Sequence, residues 1–385
     1  MCGKLPSTDN LQLTMDKIMQ QVDILMQKGL SDKVFPGAVL LISRKDTVLF
    51  VKAYGYANIF TKYPMAEDTI FDLASLTKPL ATTLAIMNLV AGNKLDLEQS
   101  LGSVLPKFKK TEKEQIKIKH LLSHKSGLPD YRPYYKKLAK LPMGSRKEAS
   151  MDLIAREPLI YQTGKKELYS DLGFMILRQV VEHISGKQLG RFVDEAVYKP
   201  LALDAGRGLF FADTDSKLQP EKFAATEFCP WRNTLLEGVV HDENAYVMGG
   251  VDGHAGLFGT AGCIYSLLSV LLSVYYGFSS TTVFERDLLE LFFKRQDNTE
   301  KALGFDTPSL HNASCGDLFS KKSVGHLGFT GTSFWMNLES SVIVILLTNR
   351  IHPSRDNTKI KTFRPEIHNE IMKSILSEGK GKITK

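Results

Sequence analysis

The sequence predicts an α+β fold in which one antiparallel sheet, flanked by helices, is built from both ends of the chain. Two β-hairpin patterns carry this prediction, one over residues 37–53 and one over residues 331–348. Hairpins join antiparallel strands, whereas parallel strands need long crossover connections. The third observation is the mainly helical pattern that separates the two hairpins. It predicts a helical domain inserted into a sheet domain.

The composition is that of an ordinary globular protein. The chain has 385 residues, of which 43% are hydrophobic and 24% charged, enough for a sizeable core. Part of the net charge of +7 lies in the Lys-rich segment 107–119. Phe108 is the only aromatic residue there, so this segment offers no stacking platform for nucleic acid.

The first ninety residues give clear element predictions. Apolar residues at every third or fourth position predict an amphipathic helix over 11–28. Residues 37–43 and 47–53 predict two strands joined by a turn, and 55–63 a loop or short strand. A helix is predicted from Ser75 to about Ala91. The Gly-Asn-Lys triplet that follows Ala91 is a typical helix stop.

The middle of the chain predicts a helix or turn over 116–123, helices over 170–184, 188–197 and 260–276, and an irregular segment at 207–230. The last of these helices lies in an uncharged stretch, 255–284, that resembles a membrane span. Glycines interrupt that stretch, and serines form a polar stripe along it, so we interpret 260–276 as a core helix capped by Thr260.

The last part of the chain returns to strands. Residues 331–338 and 341–348 predict the second hairpin, and 365–375 a closing helix. The resulting domain prediction is a sheet domain formed by 1–95 with 303–385, and a mainly helical insertion over 96–302. The active site is expected between these two parts, and the oligomeric state stays open.

Ser75 and Lys78 are the first candidates for chemistry. They are three residues apart at a predicted helix start, so their side chains share one helix face. A hydroxyl beside an amine is the minimal nucleophile–base pair, and a helix N-terminus favours a developing anion. The spacing alone is weak evidence, because Ser377 and Lys380 repeat it. A helix cap with a solvated lysine would leave the same pattern.

Two later stretches supply what a nucleophilic serine needs. Tyr169-Ser170-Asp171 precedes a predicted helix, and a tyrosine there can relay a proton if neighbouring cations lower its pKa. His326-Leu327-Gly328 precedes the second hairpin, where an edge strand can hold a substrate.

These three motifs, in this order, resemble those of the serine β-lactamase and penicillin-binding-protein superfamily. The resemblance is nearest to class C β-lactamases and their esterase and D-aminopeptidase-like relatives. It extends from about residue 35 to 350 and includes the stretches 120–128, 253–258 and 328–333. Two literal matches, Lys125-Ser126-Gly127 to the third motif and Tyr56-Ala57-Asn58 to the second, stand in the wrong order and are rejected.

The resemblance implies a serine hydrolase that cleaves an ester or amide through an acyl-enzyme on Ser75. Lys78 and Tyr169 are implied as the proton-transfer pair, and the backbone N–H groups of Ser75 and Phe329 as oxyanion donors. Asp171, His326, Gly328 and Phe329 are the candidate substrate-binding residues. The expected substrates are small esters, β-lactams or peptides. No cofactor, nucleic acid or membrane span is expected.

Two departures from the family pattern affect the expected activity. Asp171 replaces the usual Asn, and it is expected either to hold Lys78 in its charged form or to act only as a helix cap. His326 replaces the usual Lys. An imidazole with an ordinary pKa of ~6.5 would pair with a substrate carboxylate best in mildly acidic solution. We therefore expect an esterase or peptidase rather than an efficient β-lactamase.

An alternative of another class stays open, a catalytically weak protein that binds peptides or partners in the same cleft. A metal site among His241, Asp242, Glu243 and His254 is not expected, because their spacing matches no common ligand motif. These side chains are expected to hydrogen-bond loops around the pocket.

The four cysteines are widely spaced, and no basic and apolar leader is visible at the N-terminus. We therefore expect reduced thiols and a cytoplasmic protein. Cys2 leaves an exported or lipoprotein form open, for a chain from which a signal segment had been removed.

Overall fold

Both ends of the chain contribute strands to one six-stranded antiparallel sheet in the computed structural model, which describes residues 8–203, 208–212 and 220–380. The strands of the described part are β1 (Gly37–Arg44), β2 (Thr47–Asn58), β3 (Tyr63–Pro64), β4 (Phe71–Asp72), β5 (Phe210–Phe211), β6 (Phe228–Cys229), β7 (Thr234–Leu235), β8 (Leu257–Gly259), β9 (Val324–Leu327), β10 (Ser333–Asn337) and β11 (Val342–Thr348). The spatial order of the large sheet is β3-β2-β1-β11-β10-β9, and all of its neighbouring strands are antiparallel. The predicted α+β class is confirmed.

Helices cover this sheet and form most of the segment between its two halves. They are α1 (Thr8–Ser31), α2 (Leu84–Ala91), α3 (Leu101–Val104), α4 (Ile118–Leu122), α5 (Tyr135–Leu138), α6 (Met143–Arg156), α7 (Asp171–Ser185), α8 (Leu189–Val193), α9 (Glu243–Val247), α10 (Ala261–Tyr275), α11 (Arg286–Phe293) and α12 (Ile360–Lys380). A small sheet of order β4-β8-β5 lies among them.

The central strands β1 and β11 are buried on both faces, which explains their continuous apolar sequences. On one face, β1 and β11 pack against α1 and α12 in a single apolar cluster, with Leu40 and Leu346 among its buried members. On the other face, Leu41 and Ile345 belong to the main core, which also includes residues of α2, α7 and α10. Strand pairing therefore ties the two ends of the chain together between two helical layers.

Most predicted element positions are confirmed, and the differences have physical reasons. Strand β2 continues to Asn58, beyond its predicted end, because a short partner strand, β3, pairs with its last residues. The predicted start of the last helix at Pro365 is wrong, since α12 begins at Ile360. Ile360 and Phe363 supply the buried face of that first turn, and the lysines around them hide its period in the sequence.

Helix α10 is the predicted core helix. The Thr260 hydroxyl accepts a hydrogen bond from the Cys263 N–H at 3.2 Å and so caps the helix as expected. No helix in the described part of the chain has the length and apolar character to cross a membrane. Since α10 packs against β1 and β11, it lies on the sheet although its residues fall in the predicted insertion. The division of the chain into domains stays a prediction.

Candidate active site

Ser75 lies in a tight 3₁₀ turn, Ala74–Leu76, that leads into a π-helical turn, Lys78–Thr83, and then into α2. The predicted helix therefore exists, but its first two turns are not regular α-helix. Ala74 adopts a φ of 48°, a left-handed conformation that is uncommon for a residue with a side chain. Its N–H is held by the buried Asp72 carboxylate at 2.8 Å. These contacts fix the backbone immediately before Ser75.

The predicted pairing of Ser75 with Lys78 is present. The Lys78 ammonium donates a hydrogen bond to the Ser75 hydroxyl at 3.1 Å and another to the His254 carbonyl at 3.2 Å. It also lies 2.7 Å from an Asp171 carboxylate oxygen, while the Lys78 side chain is fully buried. Burial alone would lower the pKa of Lys78, but the nearby Asp171 and Tyr169 outweigh it and raise that pKa above its usual value. Lys78 is therefore a cation in the resting site.

Asp171 is not the N-cap of α7, which was one of the two roles expected for it. The N-cap of α7 is Ser170, whose hydroxyl accepts a hydrogen bond from the Gly173 N–H at 3.3 Å. Asp171 is the first residue inside the helix, and its side chain pairs with Lys78 instead. Of the two expected roles, the structure shows the electrostatic one.

Tyr169 lies beside Lys78, whose Nζ is 4.8 Å from the centroid of the Tyr169 ring. Its desolvated surroundings raise the pKa of Tyr169, and the opposing effect of Lys78 does not reverse that change. The sequence predicted that Tyr169 relays a proton only if neighbouring cations lower its pKa. In the resting site they do not, and Tyr169 is a neutral phenol. Its ring lies 4.5 Å from the His124 ring.

His124 is a residue whose contribution the sequence did not reveal. It lies in the turn after α4 with a φ of 56°, and its Nδ1 accepts a hydrogen bond from the Ser170 N–H at 3.0 Å. Burial holds the pKa of His124 well below its usual value, so the ring is neutral. His124 therefore fixes the backbone that carries Tyr169 and Asp171. The stretch 120–128 had suggested only a family-like turn.

His326 lies in the edge strand β9 and is 2% exposed. Burial lowers the pKa of His326 to about 4, and the nearby Asp306 does not offset this. The expectation of a cationic imidazole in mildly acidic solution is therefore wrong. Because Nδ1 lies 2.9 Å from the Leu327 carbonyl, a neutral ring donates through Nδ1 and leaves Nε2 as an acceptor.

Gly328 and Phe329 form a turn that is tied to the backbone before Ser75. The Thr332 hydroxyl donates to the Leu73 carbonyl at 3.1 Å, and the Thr330 hydroxyl to the Asp72 carbonyl at 2.8 Å. A Cβ on Gly328 would lie 2.0 Å from the Thr332 hydroxyl and 2.7 Å from the Leu73 carbonyl oxygen. Only glycine fits this close approach.

Phe329 is 46% exposed as a residue, and its backbone carbonyl is held by Arg350. Arg350 donates to the Phe329 carbonyl from both Nε, at 3.0 Å, and Nη2, at 2.6 Å. The guanidinium carbon of Arg350 lies 4.8 Å from the ring centroid, and the His241 ring stacks at 5.5 Å. These contacts orient the peptide units on either side of the turn. No sequence motif identified Arg350.

The residues considered for a metal hold loops together, as expected. Asp242 caps α9 through the Ala245 N–H at 2.7 Å and lies 2.9 Å from Nε2 of His254. This carboxylate overcomes the effect of burial and raises the pKa of His254 to about 9. His254 in turn presents its carbonyl to Lys78.

Among the described residues, Glu227, Cys229 and Glu243 bring potential ligand atoms within 4.8 Å of one another. Arg355 already occupies this group, since its Nη2 pairs with Glu227 and lies 2.8 Å from Glu243. The chemistry of this group is that of an ion-pair cluster.

Comparisons with known proteins identify a family and relatives that match most of this chain. The family model described as Beta-lactamase matches residues 18–368. An N-acetylmuramyl-L-alanine amidase of Bacillus subtilis (strain 168) is 32% identical, over 91% of this chain and 84% of the relative. A putative D-alanyl-D-alanine carboxypeptidase of Escherichia coli (strain K12) is 31% identical, over 87% and 81% respectively.

Two solved structures show the same fold at low sequence identity. EstCE1, a hydrolase with promiscuous acyltransferase activity, has a TM-score of 0.70 at 22% identity, covering 92% of this chain and 99% of the other. The octameric penicillin-binding protein homologue from Pyrococcus abyssi has a TM-score of 0.69 at 18% identity, covering 93% and 77%.

Proposed function

This chain belongs to the Beta-lactamase family and is a serine hydrolase, and we propose that Ser75 is its acylating nucleophile. The observation that carries the proposal is the hydrogen bond of 3.1 Å from the Lys78 ammonium to the Ser75 hydroxyl. A catalytic serine needs a group that receives its proton within hydrogen-bond reach. Lys78 is in that position, and Tyr169 lies next to Lys78, with its ring centroid 4.8 Å from the ammonium.

The proposed acylation begins with loss of one proton from the Tyr169–Lys78 pair, because both groups are protonated in the resting site. Tyr169 then accepts the hydroxyl proton of Ser75 while Ser75 attacks the carbonyl carbon. The N–H groups of Ser75 and Phe329 are the proposed donors that stabilise the oxyanion. The phenol returns its proton to the leaving group as the scissile bond breaks. Water then hydrolyses the acyl-enzyme, with the same pair as proton acceptor.

Lys78 contributes charge rather than acting as a free amine base. Its pairing with Asp171 at 2.7 Å keeps the proton on the ammonium. A buried cation therefore lies beside the Ser75 hydroxyl and the Tyr169 ring. A cation there favours a phenolate on Tyr169. This assignment gives Asp171 a defined role, which is to keep Lys78 charged.

We propose small amides and esters as the substrate class, with peptides of bacterial cell-wall type among the amides. Support comes from relatives named amidase and D-alanyl-D-alanine carboxypeptidase, which the chain matches over most of their length. The neutral His326 offers no cation to a substrate carboxylate. Neutral esters and amides should therefore be better substrates than penicillins, cephalosporins or D-alanyl-D-alanine peptides, all of which carry a carboxylate.

A substrate panel tests this proposal. Wild-type protein and Ser75→Ala are compared on a chromogenic neutral ester, a muramyl peptide, a D-alanyl-D-alanine peptide and a penicillin. Loss of the nucleophile should lower kcat by about 10⁵–10⁶. Ester or peptide turnover that persists in Ser75→Ala would contradict the assignment of Ser75.

The same panel separates the hydrolase from a weakly catalytic peptide-binding protein. The charged Lys78 is the observation that keeps this second candidate in view, because a permanently protonated pair could not accept the serine proton. A hydrolase gives steady turnover of the ester, preceded by a burst of chromogenic product when deacylation is slower than acylation. A peptide-binding protein would bind the peptides with neither burst nor turnover.

A further inference from the structure

Lys301 places a second ammonium group beside Tyr169. Its Nζ lies 5.7 Å from the centroid of the Tyr169 ring, while that of Lys78 lies at 4.8 Å. The Lys301 side chain is 16% exposed, so its charge is poorly screened by solvent. A cation this close to an ionisable group favours that group's negative form. Lys301 belongs to none of the sequence motifs.

The position of Lys301 is fixed by a tight turn at the edge of the large sheet. Residues 301 and 306 pair across the turn, and the Gly304 N–H donates to the Leu122 carbonyl at 3.0 Å. Asp306 exchanges two backbone hydrogen bonds with Gly325 of β9, at 2.8 and 3.0 Å. The turn therefore continues the sheet beyond the strand that carries His326, and Lys301 cannot move far from Tyr169.

Asp306 opposes the charge of Lys301. Its carboxylate oxygen lies 2.6 Å from Nζ, and a Glu167 oxygen lies 3.9 Å from the same atom. Several elements pack around Tyr169 in the described part of the chain. Their charged or titratable residues near the ring are Lys78, His124, Glu167, Asp171, Lys301, Asp306 and His326. Both histidines are neutral, so Lys78 and Lys301 are the cations of this set.

We propose that Lys301 is a positioning residue that supplies the cation absent from the third motif, where His326 stands in place of a lysine. It favours the Tyr169 phenolate, the form that can accept the Ser75 proton. In that step the Ser75 O–H bond breaks and its proton passes to the phenolate oxygen. A bond forms from the Ser75 oxygen to the carbonyl carbon while the π bond of the carbonyl breaks and leaves its electron pair on the oxyanion. Lys301 neither gives nor takes a proton, and Asp306 weakens its effect. This inference rests on the proposed function of Ser75.

Paired charge-removing variants test the proposal. Lys301→Met should lower kcat/KM for a neutral ester by about tenfold, since a cation at this distance shifts a pKa by about one unit. Asp306→Asn should raise kcat/KM by a similar factor, because Lys301 then acts without its counter-charge. A structural role would not produce such a gain. Lys301→Arg should stay near the wild type.

A double variant and a matched lysine complete the test. In Lys301→Met/Asp306→Asn, kcat/KM should return to about the wild-type value, because the loss of the cation and the loss of its counter-charge offset each other. Lys125→Met is the matched control, since the Lys125 ammonium reaches the same loop through the Asp297 carbonyl at 3.0 Å, and it should leave kcat/KM unchanged. Circular dichroism and melting curves confirm folding of each variant.

The proposal is overturned if Asp306→Asn shows no gain, or if the gain persists in the double variant. If Lys301→Met does not fold, Asp306→Asn alone decides, because its gain or lack of gain is the readout. The proposed function fails separately, when the wild-type protein forms no acyl-enzyme at Ser75. Normal acylation together with unchanged Lys301 and Asp306 variants would contradict only this inference.

Discussion

At the scale of single residues, protonation decides how the site works. The pKa values of Lys78 and Tyr169 are both raised, so neutral solution keeps both groups protonated. The form that can accept the Ser75 proton has lost one proton, and its fraction grows about tenfold per pH unit below the governing pKa. For a neutral ester, kcat/KM should therefore rise steadily from neutral into alkaline solution. A plateau reached at or below neutral pH would contradict this reading.

Asp171→Asn is the matched variant for that pH profile. The carboxylate 2.7 Å from Lys78 raises the pKa of both Lys78 and Tyr169, so its removal lets this pair lose its first proton at lower pH. The rise in kcat/KM should then begin at lower pH, with more activity than the wild type near neutrality. An unshifted profile in Asp171→Asn would show that this ion pair does not set the protonation of the site.

His326 determines how the site treats a carboxylate. With a pKa near 4, its imidazole is neutral from mildly acidic pH upward, so affinity for a carboxylate-bearing β-lactam should not fall through the usual histidine range. His326→Lys should increase acylation by such β-lactams more than it changes neutral-ester turnover. Profiles of kcat/KM for both substrates in both proteins check this. A wild-type profile that falls near pH ~6.5 for the β-lactam alone would contradict the neutral ring.

At the scale of elements, motif spacing anticipated much of the site. The helix at Ser75, the turn before α7 and the strand β9 each bring their predicted residues to one place. Lys301 and Asp306 were not anticipated, because they act through a tertiary contact between a short turn and the sheet edge. Such contacts leave no period or spacing in a single sequence. Arg350 was missed for the same reason.

The turn after β9 is the element whose geometry permits least change. Gly328→Ala would place a Cβ 2.0 Å from the Thr332 hydroxyl and force the turn away from Leu73. We expect a loss of about 1–3 kcal/mol in the free energy of unfolding and a marked drop in acylation rate. Denaturant titration and burst kinetics measure the two effects. Gly144→Ala, where a Cβ meets nothing within 4 Å and the residue lies in α6, is the control; it should leave the acylation rate unchanged and should not lower the free energy of unfolding.

At the scale of the whole molecule, the sheet depends on both chain ends at once. Leu346 of β11 is fully buried in the cluster that joins the sheet to α1 and α12. Leu346→Ala should lower the free energy of unfolding by about 2–5 kcal/mol, whereas Leu310→Ala, at a side chain 68% exposed, should have little effect. Equal denaturation midpoints for the two variants would contradict this description of the core.

The fold class was predictable from the sequence because hairpins near both ends leave few alternatives to a shared antiparallel sheet. Protonation states were not predictable, since they depend on burial that the sequence does not show. The neutral His326 and the neutral Tyr169 are the two examples. A motif identifies a candidate residue, whereas neighbours from distant parts of the chain set the pKa of that residue.

The most direct test of the central claim is to locate the acylated residue. Wild-type protein and Ser75→Ala are treated with a fluorophosphonate and with a slowly hydrolysed ester, digested, and analysed by fragment-ion mass spectrometry. The account predicts one covalent adduct per molecule, on Ser75, with both reagents, and no adduct in Ser75→Ala. An adduct on any other residue, or labelling that persists in Ser75→Ala, would contradict it.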